Sequence, residues 1–284
     1  EHLLQLTEAL RIPQIIRTND RHVSTGLEGL CICLRRLVYP NRLTDLEPLF
    51  GLSAKHLSDI ANTVVRHIYL HFHHPLTNLR NLPWLNYNKL QQYSQAIADK
   101  NAPLRNCWEF IDGTARPICR PSHRQQNFFS GHKRVHCLKY QSVVVPDGII
   151  YYCSLMGPYE GRRHDVGIFR DSNLYTQLEQ NCRFPNNENF VLYGDPAYAK
   201  TYCSTTRINT RMNTVRQAVE WEFRKIVSEF AFLDFKKNQK LLLQNLDEMY
   251  ISATILTNCH TCLYGSQASQ YFNVVPPTLQ QYLH

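Results

Sequence analysis

Trp108-Glu109-Phe110-Ile111-Asp112-Gly113-Thr114 is the stretch that decides the fold of this 284-residue chain. Side chains two apart on a strand share a face, so the alternation through Trp108, Phe110 and Asp112 predicts a β-strand. A carboxylate and a glycine follow the apolar part, and Asp-Gly is a common turn pair. Asp112 is therefore either a turn former or a metal ligand on a rigid edge. Two carboxylates later in the chain favour the ligand.

Composition sets wide limits on what this protein can be. Hydrophobic residues make up 43% and charged residues 19%, which is typical of a globular protein with a full core and enough length for two domains. The net charge of +8 suits a polyanionic partner, although a mildly basic enzyme would also carry it. No apolar run is long enough to span a bilayer, and nothing at the start resembles a signal peptide. Ten cysteines without a disulfide framework indicate an intracellular protein and no membrane partner.

Residues 1–100 are predicted to form an all-α domain with a helix-turn-helix-like segment at about 42–71. A short helix is followed by a Gly51-Leu52 turn and then by a helix whose N-cap is Ser53. In a DNA-binding role, the phosphate contacts would come from side chains off the apolar stripe, namely Lys55, His56 and Arg66. The alternative is a helical hairpin that packs on the next domain.

The second half, residues 101–265, has a different pattern. Three β-rich runs are joined by a polar loop and a Pro146-Asp147-Gly148 turn, which predicts an antiparallel meander. A helix at 166–180, a strand at 190–193 and a helix at 213–230 follow. The fold class is therefore α/β, a ribonuclease-H-like mixed sheet flanked by helices. Residues 266–284, with two adjacent prolines, are predicted to be an extended C-terminal tail.

Three acids lie at the ends of strands or on the helix that follows them. Asp112 ends the first strand, Asp195 follows the fourth strand, and Glu220 lies on the next helix. Mg²⁺ prefers hard oxygen ligands, and two such ions about 3.5–4 Å apart can clamp a phosphodiester. This arrangement predicts a two-metal site for phosphodiester cleavage. The alternative for Glu220 is a surface ion pair with Arg216, four residues earlier on the same helix.

Several motifs together carry a family resemblance over about residues 100–265. They are Ile111-Asp112-Gly113-Thr114, Gly161-Arg162-Arg163-His164-Asp165, Leu192-Tyr193-Gly194-Asp195-Pro196-Ala197-Tyr198, Asn209-Thr210-Arg211-Met212 and Arg216-Gln217-Ala218-Val219-Glu220-Trp221-Glu222-Phe223. In order and flanking residues they resemble the DDE transposases of the PIF/Harbinger superfamily and the domesticated Harbinger-derived nucleases. The interval of 220 − 195 = 25 residues between the last two acids is shorter than the family usually has.

The resemblance implies a function in DNA recombination. The catalytic, metal-binding acids fall on Asp112, Asp195 and Glu220, and an accessory pair falls on His164 and Asp165, where Asp165 could instead be a helix N-cap. Such a nuclease would work in the nucleus with two Mg²⁺ or Mn²⁺ ions per site. It would cut double-stranded DNA at the terminal inverted repeats of a transposon and insert into AT-rich targets. A Myb-like DNA-binding partner protein and a homo-oligomer are also implied.

Basic residues near the first strand are the candidates for contact with the DNA backbone. They are Arg120, Arg124, Lys133, Arg134 and Lys139. A second basic run, Lys236, Lys237 and Lys240, is interpreted as a solvated face. Two other functions stay open: a domesticated DNA-binding or scaffold protein without cleavage activity, and a ribonuclease-H-like nuclease that acts on RNA or RNA–DNA hybrids.

Overall fold

A computed structural model describes most of the chain. It covers residues 1–73, 85–151, 158–172, 190–194, 206–241 and 243–283, together with residues 174, 176 and 180. Within these ranges no helix combines the length and the apolar character needed to cross a membrane.

The regular elements comprise a mostly helical first part, a strand-rich middle and a helical last part. The strands are β1 (Ile15–Arg17), β2 (Val23–Thr25), β3 (Cys107–Pro117), β4 (Phe129–Ser130), β5 (Val135–Val144), β6 (Ile150–Tyr151), β7 (Tyr159–Glu160) and β8 (Val191–Gly194). The helices are α1 (His2–Ala9), α2 (Gly26–Val38), α3 (Glu47–Phe50), α4 (Ala54–Phe72), α5 (Tyr87–Ala98), α6 (Gln125–Phe128), α7 (Asp165–Asp171), α8 (Thr206–Glu229), α9 (Leu246–Tyr264), α10 (Gln267–Phe272) and α11 (Leu279–Leu283).

The main sheet is mixed, with β3 at its centre. β4, β5, β3 and β8 are neighbours in that order, and β6 and β7 also pair with β5. β3 is antiparallel to β5 and parallel to β8. The predicted turn joins β5 to β6: Gly148 has a φ of 81° and donates its N–H to Val145 O at 2.9 Å. The predicted ribonuclease-H-like mixed sheet flanked by helices is confirmed.

Helices cover β3 through its aromatic residues. Trp108 is fully buried and stacks on Tyr93 of α5 with 6.5 Å between ring centroids. Phe110 stacks on Phe272 of α10 at 6.4 Å. Burying one such side chain stabilises a fold by about 1.5–3 kcal/mol, so these contacts fix the inner half of β3 rigidly.

The N-terminal region packs directly on the second half of the chain. Gly51, with a φ of 66°, ends α3, and the Ser53 hydroxyl accepts from His56 N–H at 3.4 Å, which confirms the predicted N-cap. α4 then packs against both α2 and α9, and Ser252 Oγ donates to Val65 O at 2.9 Å. This packing is the arrangement that the helical-hairpin alternative expects.

Two local predictions are wrong. Residues 15–25 form the β1–β2 hairpin within the region predicted to be all-α, because Ile15 and Ile16 begin a β-branched stretch. The tail is not extended, since it contains α10 and α11. Leu279, Tyr282 and Leu283 are all buried, and their three-and-four spacing is helical.

Candidate active site

Asp112 lies inside β3, where the strand leaves the core. Residues 107–111 are buried and residues 112–117 are partly exposed. The Asp112 carboxylate accepts two hydrogen bonds of 2.8 Å, Oδ1 from Gly113 N–H and Oδ2 from Arg216 Nη1. Because β3 continues to Pro117 in register with β5, the Asp112-Gly113 pair does not form a turn. The side chain is 20% exposed, which leaves it open to solvent at the edge of the core.

Arg216 links Asp112 to Glu220. Arg216 and Glu220 lie on α8, one helical turn apart, and Arg216 Nη2 is 3.7 Å from Glu220 Oε1. The predicted alternative, an i, i+4 ion pair, is therefore present, but the same guanidinium also binds Asp112 from a strand 104 residues earlier. Arg216 is 12% exposed and Glu220 is 60% exposed. The two carboxylates thus share one cation, with Glu220 on the solvent side.

The third predicted acid, Asp195, lies outside the described residues. The chain just before it is described: β8 ends at Gly194, which is paired with Ile111 in the parallel register. Gly194 precedes Asp195, as Ile111 precedes Asp112. The structure therefore brings the residue before Asp195 beside the residue before Asp112.

Asp165 lies beside Gly113 of β3, the residue after Asp112. A β-carbon added at Gly113 would lie 3.0 Å from Asp165 Cγ, so a larger residue here would press on this carboxylate. Lys139 Nζ donates to Asp165 Oδ1 at 3.0 Å and to Arg163 O at 2.7 Å. His164 is exposed and occupies the N-cap position of α7 without a side-chain cap bond. Asp165 is the first residue of α7 and not its N-cap.

The predicted backbone-binding residues fall into two groups. Four of them, Arg120, Arg124, Lys133 and Arg134, are exposed and form no salt bridge with any described residue. Lys139 is 15% exposed, and its ammonium is already bound to Asp165. In this geometry Lys139 is a partner of Asp165.

The N-terminal candidates lie on α4, away from β3 in sequence. Lys55 pairs with Asp20 at 2.6 Å, and the His56 ring lies 3.5 Å from that of His22. Arg66 is exposed. Lys55 and Arg66 are eleven positions apart. That is about three helical turns, or roughly 16 Å, so the two cations lie on one face of α4.

Sequence reasoning missed two buried polar groups on the strands around Asp112. Ser142, directly opposite Asp112 on β5, is 1% exposed, and its hydroxyl has no hydrogen-bond partner among the described residues. Glu109 is fully buried, and neither of its carboxylate oxygens has such a partner. Burial alone raises the pKa of Glu109 well above its ordinary value. No sequence signal distinguishes Glu109 from the exposed acids.

The donor set at β3 suits a divalent cation. Asp112 and Glu220 offer hard carboxylate oxygens, the ligands that Mg²⁺ and Mn²⁺ prefer. The Arg216 guanidinium between them shows that positive charge is favourable at this point. No group of three or more His, Cys, Asp or Glu side chains within the described part of the chain is arranged to hold a metal. The predicted third acid, Asp195, lies outside the residues over which this holds.

A ribonuclease-H-like sheet with acids at the edge of its core defines a class of nucleic-acid-processing enzymes. A family model described as DDE superfamily endonuclease matches residues 111–258, from the residue before Asp112 to a point beyond Glu220. This chain belongs to the DDE superfamily endonucleases, which generally use divalent metal ions. A search of curated proteins and a search of solved structures found no match.

Proposed function

We propose that this protein is a transposase of the PIF/Harbinger type, a metal-dependent endonuclease that cuts DNA at transposon ends and joins the strands. One observation carries the proposal: Asp112 and Glu220, from a strand and a helix, contact the same guanidinium beside the end of β8. Asp195 follows β8 directly in the sequence. These three acids have the residue types and the order that the family match leads us to expect.

Each acid has a distinct part in the proposed site. Asp112, Asp195 and Glu220 would hold two Mg²⁺ or Mn²⁺ ions. Bound metal ions of this kind lower the pKa of an attacking water or 3′-hydroxyl and stabilise the leaving oxygen. Asp112 is held in place by Gly113 N–H and by Arg216, and Glu220, being exposed, is free to move toward the substrate side. Asp165 supports the strand from the opposite side, through Lys139.

Further parts of the proposal concern partners and place of action. The substrate would be double-stranded DNA, at terminal inverted repeats and then at an AT-rich target. The exposed cations Arg120, Arg124, Lys133 and Arg134 support a backbone contact. A Myb-like partner protein, a homo-oligomer that holds two ends and a nuclear location complete the proposal. They rest on the resemblance to the PIF/Harbinger superfamily.

The test is nicking of supercoiled plasmid by the purified chain with Mn²⁺. The wild type is compared with Asp195→Asn and Glu220→Gln. Glu229→Gln is the matched control, because Glu229 lies on the same helix but pairs with Lys225 and His260. We expect nicking by the wild type and by Glu229→Gln, and none by the other two variants.

The result separates the proposed function from its alternatives. Nicking that survives in both site variants would contradict the assignment of the acids. A wild type that binds DNA and does not nick it, even with its partner protein, would favour a domesticated DNA-binding or scaffold protein. Faster cleavage of an RNA–DNA hybrid than of duplex DNA would favour a nuclease of a different ribonuclease-H-like type.

A further inference from the structure

We propose that two segments far apart in the sequence form one surface that binds the backbone of duplex DNA beyond the cleavage site. We call it the distal basic surface and define it by Arg120, Lys133, Arg134, Lys236 and Lys237. The proposal deepens the proposed function, on which it rests for the identity of the ligand. It revises the interpretation of the 236–240 run as a solvated face.

Backbone hydrogen bonds hold the segments together. At the far end of β3, Ile118 N–H donates to His136 O at 2.9 Å, which brings Arg120 beside the β4–β5 turn that carries Lys133 and Arg134. The next residue, Cys119, donates its N–H to Gln239 O at 2.8 Å. The three segments are therefore contiguous although residues 119 and 239 are 120 positions apart.

A second contact fixes the lysines themselves. The Cys119 thiol lies 3.1 Å from Lys236 O and 3.3 Å from Lys237 O. These bonds use backbone carbonyls and leave the two ammonium groups exposed to solvent. The backbone of Lys236 and Lys237 thus occupies a defined place next to Cys119, the neighbour of Arg120.

The charges of this surface differ from those of the paired cations on β5 and α8. Arg216, Lys139 and Lys225 each pair with a carboxylate. The five residues of the distal basic surface form no salt bridge with any residue that the structure describes. The nearest acid in sequence is Asp234, which is exposed and forms none there either. Unpaired, clustered cations are the electrostatic feature that attracts nucleic-acid phosphates.

The charge cluster is dense enough to act on a neighbouring imidazole. The pKa of His136 is lowered by partial burial and by the positive charges of Arg120 and Lys236. Both cations therefore act on the same ring from opposite segments. This agrees with the hydrogen-bonded geometry that brings the two segments together.

The position of the surface along β3 sets what it can reach. From Asp112 to Pro117, five strand residues of about 3.3 Å each span roughly 17 Å. That is the length of about five base pairs of B-DNA at 3.4 Å each. The distal basic surface begins beyond Pro117, so it would contact flanking duplex and not the scissile phosphate.

The experiment measures how DNA binding depends on salt. Fluorescence anisotropy with a 30-base-pair duplex in EDTA reports binding without cleavage. We compare the wild type, Lys236→Gln/Lys237→Gln, and the matched control Arg17→Gln/Arg21→Gln, which removes two exposed cations from the β1–β2 hairpin. Each lost phosphate contact lowers the slope of log K against log salt by about 0.9. We expect a slope reduced by about 1.8 for the lysine pair and an unchanged slope for the control.

Two further measurements keep the result decisive. Equal melting temperatures for the three proteins show that the substitutions leave the fold intact, as expected because the Cys119 thiol bonds to the backbone carbonyls of the two lysines. The reduction in slope caused by Lys236→Gln/Lys237→Gln should disappear with a 10-base-pair duplex centred on the candidate active site. Such a duplex ends before it reaches the distal basic surface.

The outcomes separate this inference from the proposed function. An unchanged slope for the lysine pair, an equal reduction in both pairs, or no binding of duplex DNA by the wild type would each overturn the inference. Tighter binding of single-stranded RNA than of duplex DNA would overturn it as well. A reduced slope together with no nicking under any condition would support the surface and contradict the nuclease.

Discussion

The two halves of β3 place a carboxylate in opposite environments. Residues 107–111 are buried, and Glu109 lies there with no hydrogen-bond partner among the described residues. Residues 112–117 are partly exposed, and Asp112 lies there with two donors, one of them a guanidinium. Glu109 and Asp112 are only three positions apart on one strand.

The difference shows what makes an acid usable for metal chemistry. Burial without a positive partner disfavours the charged form, so Glu109 has a pKa raised well above its ordinary 4.5. Asp112 has a cation at 2.8 Å and an opening to solvent. A carboxylate must be charged and accessible to bind Mg²⁺, and only the outer half of β3 meets both conditions.

The largest expected effect is a difference in nicking rate between a variant of Asp112 and a variant of Glu109. Asp112→Asn should lower Mn²⁺-dependent nicking by about 10³-fold, since losing a metal ligand removes several kcal/mol of transition-state stabilisation. Glu109→Gln, an equally conservative change on the same strand, should keep the rate within about threefold, or about 0.7 kcal/mol. Initial rates at saturating Mn²⁺ provide the measurement.

Circular dichroism of both variants is the control for folding. If Glu109→Gln lost activity as completely as Asp112→Asn while remaining folded, the division of β3 into a structural and a catalytic half would be wrong. Glu109 would then have to be counted with the site.

The next effect concerns stability and pH. A raised native pKa means that folded Glu109 holds its proton where the unfolded chain has lost it. The free energy of unfolding therefore falls as pH rises above about 4.5, by up to about 1.4 kcal/mol per pH unit for this group, until the native pKa is passed. Glu109→Gln should remove this slope and be more stable than the wild type at pH 7.

Urea titrations at pH 5, 6 and 7 measure the slope. The variant should keep the part of the pH dependence that comes from two other acids, buried Glu222 with a pKa raised to about 6 and partly buried Asp247 with a pKa raised to about 7, both by burial. Parallel curves for wild type and variant would mean that Glu109 is ionised in the folded state, with a partner that neutralises it.

Much of the fold followed from local sequence patterns. The β3 strand, the Asp147-Gly148 turn and the Ser53 cap are each predicted from a few neighbouring residues, and the structure contains all three, although residues 107–111 of β3 are buried on both faces and do not alternate. Errors arose where short segments depend on distant packing. The β1–β2 hairpin and α11 are each too short for a strong period of their own, and they are stabilised by what they bury.

The candidate site was only partly accessible to sequence reasoning. Spacing by four residues identified the Arg216–Glu220 pair, but the bond from Arg216 to Asp112 joins residues 104 positions apart. The contiguity of Cys119 with Gln239 was hidden for the same reason. Periodicity records which residues share a face of one element, and it carries no information about which elements meet.

The smallest expected effect concerns the outer half of β3 and comes from removing the guanidinium of Arg216. In the proposed site a metal ion on Asp112 would compete with Arg216, whose charge-assisted hydrogen bond to Oδ2 is worth about 1.5–3 kcal/mol. Arg216→Gln should therefore bind Mn²⁺ about tenfold more tightly, a gain of about 1.4 kcal/mol, and should melt at a lower temperature without metal. Isothermal titration with Mn²⁺ measures the affinity directly and does not depend on cleavage.

Arg224→Gln is the matched control for this measurement, since Arg224 lies two turns further along α8, is exposed and forms no salt bridge within the described residues. The same substitution there should leave the Mn²⁺ affinity unchanged. Weaker binding in Arg216→Gln would mean that the guanidinium positions Asp112 for the metal and does not compete with it. The hydrogen bond from Gly113 N–H would then be too weak to hold the carboxylate alone, and the outer half of β3 would depend on α8 for its order.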